Sequence, residues 1–73
     1  MSIEFSDHAK EQLKTRRIAR GLVIDAVKKA DKKIKSFKGR ALRQKRFGSK
    51  ILEVVTVTEG AKITVVTVYY LEE

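Results

Sequence analysis

Two groups of residues have the types and spacing to do chemistry. The first is Arg40, Arg43, Lys45 and Arg46 within "RALRQKRF", together with Tyr69 and Tyr70 near the C-terminal end. Cations in such density can hold a phosphate and offset charge that builds up in a phosphoryl transition state, while a Tyr can stack on a base or donate a proton. The bland alternative is a solvated strand whose charges deter edge pairing. The second group is His8, Gln12 and Arg16 in "FSDHAKEQLKTRRI". They fall at i, i+4 and i+8, so a helix carries them on one face. His8 is the only histidine of the chain, and an imidazole there could act as general acid or base near neutral pH. A lone His without a partner acid more often packs at a helix–sheet border and hydrogen-bonds the backbone, which is the expectation here. The chain has no phosphate-cradling glycine loop, no Ser-His-Asp grouping and no paired-carboxylate motif.

The elements that must position these groups follow from local pattern. "SIEF" reads as a short extended lead-in, an edge strand. Ser6 suits an N-cap, because its hydroxyl can accept from an unpaired N–H of the first turn, and Asp7 complements the helix dipole. Ala9 and Leu13 give the stripe of a helix from Asp7 to Arg17. Ile18–Ala19–Arg20 is the break. A second helix runs from Arg20 to Ala30, with Leu22, Val23, Ala26, Val27 and Ala30 apolar and Gly21 in its first turn. From Lys33 the period changes to two. "KIKSF", "RALRQKRF", "KILEVVTVTE" and "KITVVTVYYL" read as strands, parted by turns at Lys38–Gly39, Gly48–Ser49 and Gly60–Ala61. Gly in the first central position of a two-residue loop suits a type II′ hairpin. The expected fold is therefore α+β, two N-terminal helices packed on one face of an antiparallel meander of three or four strands, as one domain over residues 1–73.

Two-residue turns fix a register. Across Gly48–Ser49, Arg46 pairs with Ile51, Gln44 with Glu53 and Leu42 with Val55. Across Gly60–Ala61, Val55 pairs with Val66 and Glu53 with Val68. One face then carries Arg40, Gln44, Arg46, Glu53, Val68 and Tyr70, and the other Arg43, Lys45, Val54, Thr67 and Tyr69. Whichever face the helices cover, the open one shows cations beside a Tyr and exposes Val or Leu, which suits a partner or a homodimer.

Charge sharpens this picture. The 73 residues carry 17 Lys and Arg against 9 Asp and Glu, a net +8. The segment from Lys28 to Lys50 holds 11 of the cations and one acid, Asp31, while the remainder is slightly acidic. Such a positive side meets phosphates, acidic proteins or anionic lipid, or serves solubility alone. No Cys is present, so neither disulfides nor a thiolate metal site is available, and with a single His no metal site and no cofactor is expected. No apolar run is long enough to span a bilayer and "MSIEFSDHAK" has no signal-peptide core, so the expected place is the cytoplasm, with no membrane contact.

"FSDHAKEQLKTRRI", "GRALRQKRFGSKILEVV" and "ITVVTVYY" together resemble a family of short uncharacterised prokaryotic domains with the signature H-A-x-x-R-x-x-x-R followed by a Gly and an Ile. His8, Ala9 and Arg16 match it. Gln12 stands at its first Arg and Arg17 at its Gly. The family in turn resembles the RelE and BrnT toxins, whose two helices precede a curved antiparallel sheet. The resemblance implies a metal-independent messenger-RNA endonuclease with an acidic antitoxin as partner. Arg43, Arg46, Tyr70 and His8 are the candidate catalytic residues. Lys38, Arg40, Arg43, Lys45, Arg46 and Arg16 are the candidate nucleic-acid contacts. In that mechanism a 2′-hydroxyl attacks the adjacent phosphate, Arg43 and Arg46 stabilise the phosphorane, and Tyr70 or His8 moves protons. The alternative is a non-catalytic module that binds nucleic acid or protein as a homodimer.

Overall fold

A computed structural model describes residues 2–71. In chain order the elements are β1 (Ser2–Phe5), α1 (Asp7–Thr15), α2 (Arg20–Lys28), β2 (Lys32–Lys35), β3 (Arg40–Phe47), β4 (Lys50–Glu59) and β5 (Lys62–Leu71). The α+β layering is as expected, but the sheet has five strands in the order β1-β5-β4-β3-β2 and is mixed. β2 to β5 form the antiparallel meander, whereas β1 lies parallel to β5, with Ser2 opposite Lys62 and Phe5 opposite Val65. The N-terminal lead-in is thus an edge strand paired with the last strand of the chain. Its direction is a matter of long-range pairing, which carries no local signal.

α1 starts as its cap residue dictates. The Ser6 hydroxyl accepts from the Ala9 N–H at 3.1 Å. The helix ends two residues earlier than Arg17, and its end explains why. Arg17 has φ +53°. Its N–H reaches the Lys14 carbonyl at 3.4 Å, and the Ile18 N–H reaches the Leu13 carbonyl at 3.0 Å. This is the paired closure of a Schellman motif, with Arg17 in the left-handed position usually filled by Gly. Ile18 then turns into the core and packs with Leu13. α2 buries Val23, Ala26 and Val27, the centre of its expected stripe, but ends at Lys28, so Ala30 lies beyond it.

The core is built between the helices and the middle of the sheet. Leu52 and Val54 of β4, Ile63, Val65 and Val68 of β5, and Phe5 of β1 meet Ala9, Ile18, Val23, Ala26 and Val27. α1 lies over β5 and β1, and α2 over β4 and β3. From β3 only Ala41 enters as a buried apolar residue, and every residue of β2 is exposed. The helical layer therefore stops short of one side of the sheet.

The hairpin turns fall where their glycines put them. Gly48 and Gly60 have φ +65° and +60° while Ser49 and Ala61 do not take positive φ, the backbone of a type II′ loop. The first of these turns sets the register expected from it, with Arg46 opposite Ile51 and Gln44 opposite Glu53. The second does so only up to Val65. A bulge leaves Val66 as an extra residue, so Val55 faces Thr67 and Glu53 faces Tyr69. A one-residue insertion exchanges the two faces downstream of it. Val68 and Tyr70 therefore lie on the helix side, and Thr67 and Tyr69 on the open side, the reverse of the simple register.

Candidate functional site

The side of the sheet that the helices leave bare forms a basic cleft. Two adjoining concavities of about 540 Å³ and about 390 Å³ share Lys33 and Thr58. The first is lined by Val27, Lys28, Lys33, Arg43, Thr58 and Ile63. The second adds Lys35, Ser36, Gly39, Arg40 and Ala41. Antiparallel pairing explains the convergence. Lys33 stands opposite Arg43 and Lys35 opposite Ala41, so these side chains share the helix-side face just past the end of α2. Lys33 and Lys35 are two residues apart, roughly 6.6 Å along the strand. Five cations border the cleft and no carboxylate does. Asp31, the acid of this segment, lies at the far end of β2. There it accepts from the Arg46 backbone N–H at 2.9 Å and sits 3.9 Å from the Lys45 ammonium. The potential in the cleft is consequently positive, and partly desolvated walls strengthen it.

Arg43 is the floor of this cleft and a structural tie at once. It is only 8% exposed. Its Nε donates to the Thr56 hydroxyl at 3.0 Å and its Nη1 to the Val27 carbonyl at 2.9 Å. The guanidinium thus closes the C-terminal end of α2 and pins it to the sheet, where a cation also suits the helix dipole. Burial lowers its pKa from the ordinary value.

The other predicted residues are spread over the molecule. Arg40 lines the cleft and Lys38 lies exposed on the β2–β3 turn, with φ +56°. Lys45 faces the helix side, reaching the Lys29 carbonyl at 3.3 Å and the ring of Phe47 at 5.9 Å. Arg46 points to the open face. Tyr70 is on the helix side two strands away, packed against the core with the Lys50 ammonium 5.0 Å from its ring centre. Arg16 is the C-cap of α1, and its Nη1 donates to the Val68 carbonyl at 2.7 Å. Gln12, one turn earlier, accepts from the Val68 N–H at 2.8 Å. His8 is exposed on the first turn, not packed at the helix–sheet border as expected. The fold therefore places Arg43 and Arg40 at adjoining concavities, from opposite faces of β3, and leaves Arg46, Tyr70 and His8 on separate surfaces.

Sequence reasoning passed over Lys28, Lys33 and Lys35 as individual site residues. The alternation of Lys33 and Lys35 ahead of the Lys38–Gly39 turn was visible, but a plain two-residue turn would set Lys33 opposite Gln44 and Lys35 opposite Leu42; the observed register, one residue off, puts them opposite Arg43 and Ala41 instead. It also passed over Glu53. This carboxylate is 5% exposed on the helix-free face. Gln44 Nε2 donates to its Oε1 at 2.9 Å, and the Tyr69 hydroxyl donates to its Oε2. The phenol's pKa is raised from its ordinary value by that hydrogen bond first, then by burial and the Glu53 charge. Gln44, Glu53 and Tyr69 stand opposite one another on β3, β4 and β5, so the trio ties three strands in register. Around it the open face carries half-buried Leu42, Val55 and Val57, and Ile34 at 38% exposure. Among the described residues no three His, Asp or Glu side chains gather where they could hold a metal ion, and no helix is long and apolar enough to cross a membrane.

No curated protein and no solved structure matches this chain. Residues 5–70 match the family described as Domain of unknown function (DUF4258), a span that holds both helices, the bulge and the basic cleft, and the chain belongs to this family.

Proposed function

We propose that this domain binds the phosphate backbone of a nucleic acid in the basic cleft between α2 and β2, as a binding module without catalytic activity of its own. One observation carries the reading: Lys28, Lys33, Lys35, Arg40 and Arg43 border two adjoining concavities that share Lys33 and Thr58 and that no carboxylate lines. Ser36 and Thr58 also line the second of these, and a Ser or Thr hydroxyl can donate to a phosphate oxygen. A patch made only for solubility needs no concavity and no shared face.

The geometry favours binding over the toxin-type cleavage that the RelE and BrnT resemblance implies. Cleavage by 2′-hydroxyl attack needs a cation, a base and an acid around one phosphate, within hydrogen-bond reach of the reacting atoms. Arg43 is committed to Val27 and Thr56, Arg46 faces the opposite side of the sheet, Tyr70 packs on the core, and His8 sits on the first turn of α1, which lies over β5 and β1.

The test is fluorescence anisotropy with short RNA and DNA strands across a salt series. Three to five neutralised phosphates give a slope of log K against log salt of about −2 to −3.5 for single strands. Lys33→Ala with Lys35→Ala should flatten the slope and weaken binding, while Lys10→Ala with Lys14→Ala, on the remote helix α1, should not. RNA should stay intact with or without divalent metal. Salt-insensitive binding, or equal loss from both double variants, contradicts the proposal, and metal-free cleavage would restore the enzymatic reading.

A further inference from the structure

We propose that Phe37 is a stacking platform for an unpaired base, so that the ligand of the cleft is a single-stranded nucleic acid. This rests on the phosphate-binding reading of the cleft and adds the substrate class to it. Phe37 is 85% exposed, the most exposed large apolar side chain among the described residues. The other aromatic contacts set it apart. Arg20 lies 4.6 Å from the ring centre of Phe5, Lys45 lies over Phe47 and Lys50 over Tyr70. Phe5, Phe47 and Tyr70 also belong to the core or pack against it. The ring of Phe37 has neither a covering cation nor a core neighbour, so both of its faces are open to a planar partner.

Its backbone, in contrast, is firmly held. The Arg40 N–H closes the turn on the Phe37 carbonyl at 3.0 Å, and the Ser36 N–H reaches the Arg40 carbonyl at 2.8 Å. Lys38 and Gly39 both take positive φ, as a type I′ turn requires. The turn is also fastened to β4, since the Thr58 N–H donates to the Gly39 carbonyl at 3.0 Å. A flat apolar ring is thereby presented from a pre-organised tip rather than a loose loop, which reduces the ordering cost of binding.

Position supplies the rest. Phe37 follows Ser36 and precedes Lys38, Gly39 and Arg40, and Ser36, Gly39, Arg40 and Lys35 line the near end of the cleft. A strand whose phosphates run along Lys35, Lys33 and Lys28 would reach the tip with its next base at the ring. Paired bases keep their faces inside the duplex stack, whereas unpaired ones can lie on an aromatic side chain, whatever their identity. An anionic membrane would also meet a Phe flanked by lysines. A flat lipid surface cannot follow the backbone down into the cleft, however, and a single ring gives it little apolar area.

The experiment uses the full chain and three probes: 12-nucleotide oligo(U) and oligo(dT), a 12-base-pair duplex, and vesicles of phosphatidylserine and phosphatidylcholine. Phe37→Ala should weaken single-strand binding about 5- to 150-fold. It should leave the salt slope, the duplex affinity and the thermal midpoint unchanged, because the ring neither neutralises phosphate nor packs on the core. In Phe37→Trp the indole emission should be quenched by the oligonucleotides and not by the duplex. Single-strand affinity of Phe37→Ala within twofold of wild type overturns the inference, and if Lys33→Ala with Lys35→Ala still weakens binding, the cleft reading stands without it. Indole emission that shifts to the blue on vesicles, with no oligonucleotide quenching, assigns the tip to a membrane instead. No salt-dependent binding of any strand by the wild-type protein removes both proposals.

Discussion

Arg16 Nη1 donates to the carbonyl of Val68 at 2.7 Å, joining α1 to β5 across most of the chain. The bond exists because β1 is short. β1 pairs with β5 only from Lys62 to Val65, and beyond that point the outer edge of β5 has no strand beside it among the described residues. The Ser6 N–H reaches the Val65 carbonyl at 2.9 Å, and then the helix takes over. Gln12 accepts from the Val68 N–H while Arg16 donates to its carbonyl. Two side chains one turn apart thus act as a substitute strand just past the bulge at Val66. Gln12 and Arg16, two of the three residues on the polar face of α1, clasp backbone groups that would otherwise be left unpaired, while His8, the third, stands exposed.

Loss of this clasp should be a stability defect and not a binding defect. Gln12→Leu leaves the Val68 N–H buried without a partner, a cost of about 1–3 kcal/mol. Gln12→Arg should cost a similar amount, because a guanidinium offers no acceptor to an N–H. For a domain of this size each kcal/mol lowers Tm by about 4–8 °C. Calorimetry reads that drop, and amide exchange at Val68 should speed up, with oligonucleotide affinity unchanged. An unaltered Tm in Gln12→Leu would show that the bond contributes nothing.

Arg17 should be a site of easy stabilisation. It occupies the left-handed residue of the Schellman closure, with φ +53°. A non-glycine side chain is strained there by contact of Cβ with its own backbone. Gly in the same conformation has no such strain, although it gives the unfolded chain more freedom. Arg17→Gly should therefore raise stability by about 0.5–1 kcal/mol, visible as a higher denaturant midpoint with the same m-value. Arg17→Ala, which keeps the Cβ, should not.

Much of this architecture was legible because local chemistry determines it. Ser6 caps α1, Gly48 and Gly60 take their turns, and the register from Arg46 to Leu42 follows from the first turn alone. Three features resisted. The parallel pairing of β1 depends on a contact between the two ends of the sequence. The bulge at Val66 falls in "ITVVTVYY", where no Gly or Pro marks it. Its trace is the spacing of Thr64 and Thr67, three apart where a regular strand with both on the open face would need an even interval. The roles of individual cations were the least legible. Arg40, Arg43, Lys45 and Arg46 look alike in sequence, yet burial makes Arg43 a tie to Val27 and alternation sends Arg46 to the other face. The density of charge between Lys28 and Lys50 was informative about a positive side, but only the end of the helical layer decides which cations share a cleft.

Gly39 should be the least replaceable glycine. Its φ is +74°, and a Cβ there would lie 2.8 Å from the Thr58 carbonyl oxygen. Backbone on that neighbouring strand cannot retreat without breaking the Thr58–Gly39 hydrogen bond. Gly60 has φ +60° but open space around it. Gly39→Ala should cost about 1–3 kcal/mol, and Gly60→Ala clearly less. Because the turn carries Phe37, Gly39→Ala should also reduce the single-strand preference of whatever fraction remains folded. Equal melting curves for the two variants would contradict this ranking.

The Tyr69–Glu53 contact should give the fold a dependence on alkaline pH. The phenol donates to the Glu53 carboxylate, so its protonated form is the one the fold favours, and its pKa is raised from the ordinary value. A group whose folded-state pKa lies above the unfolded one, about 10 for Tyr, contributes stability that is fully present below the unfolded value. That contribution is lost as pH rises through the folded pKa. The denaturant midpoint should thus show no Tyr69 component from pH 7 to 9 and a falling one above pH 10. Lysines titrate in the same range, so the comparison with Tyr69→Phe isolates the effect: that variant should lose the extra fall at high pH. In Glu53→Gln the partner charge is gone, and the absorbance titration of tyrosinate near 295 nm should move back toward the ordinary range. If wild type and Tyr69→Phe lose stability in parallel above pH 10, the phenol has no energetic coupling to Glu53, and the three-strand tie rests on Gln44 alone.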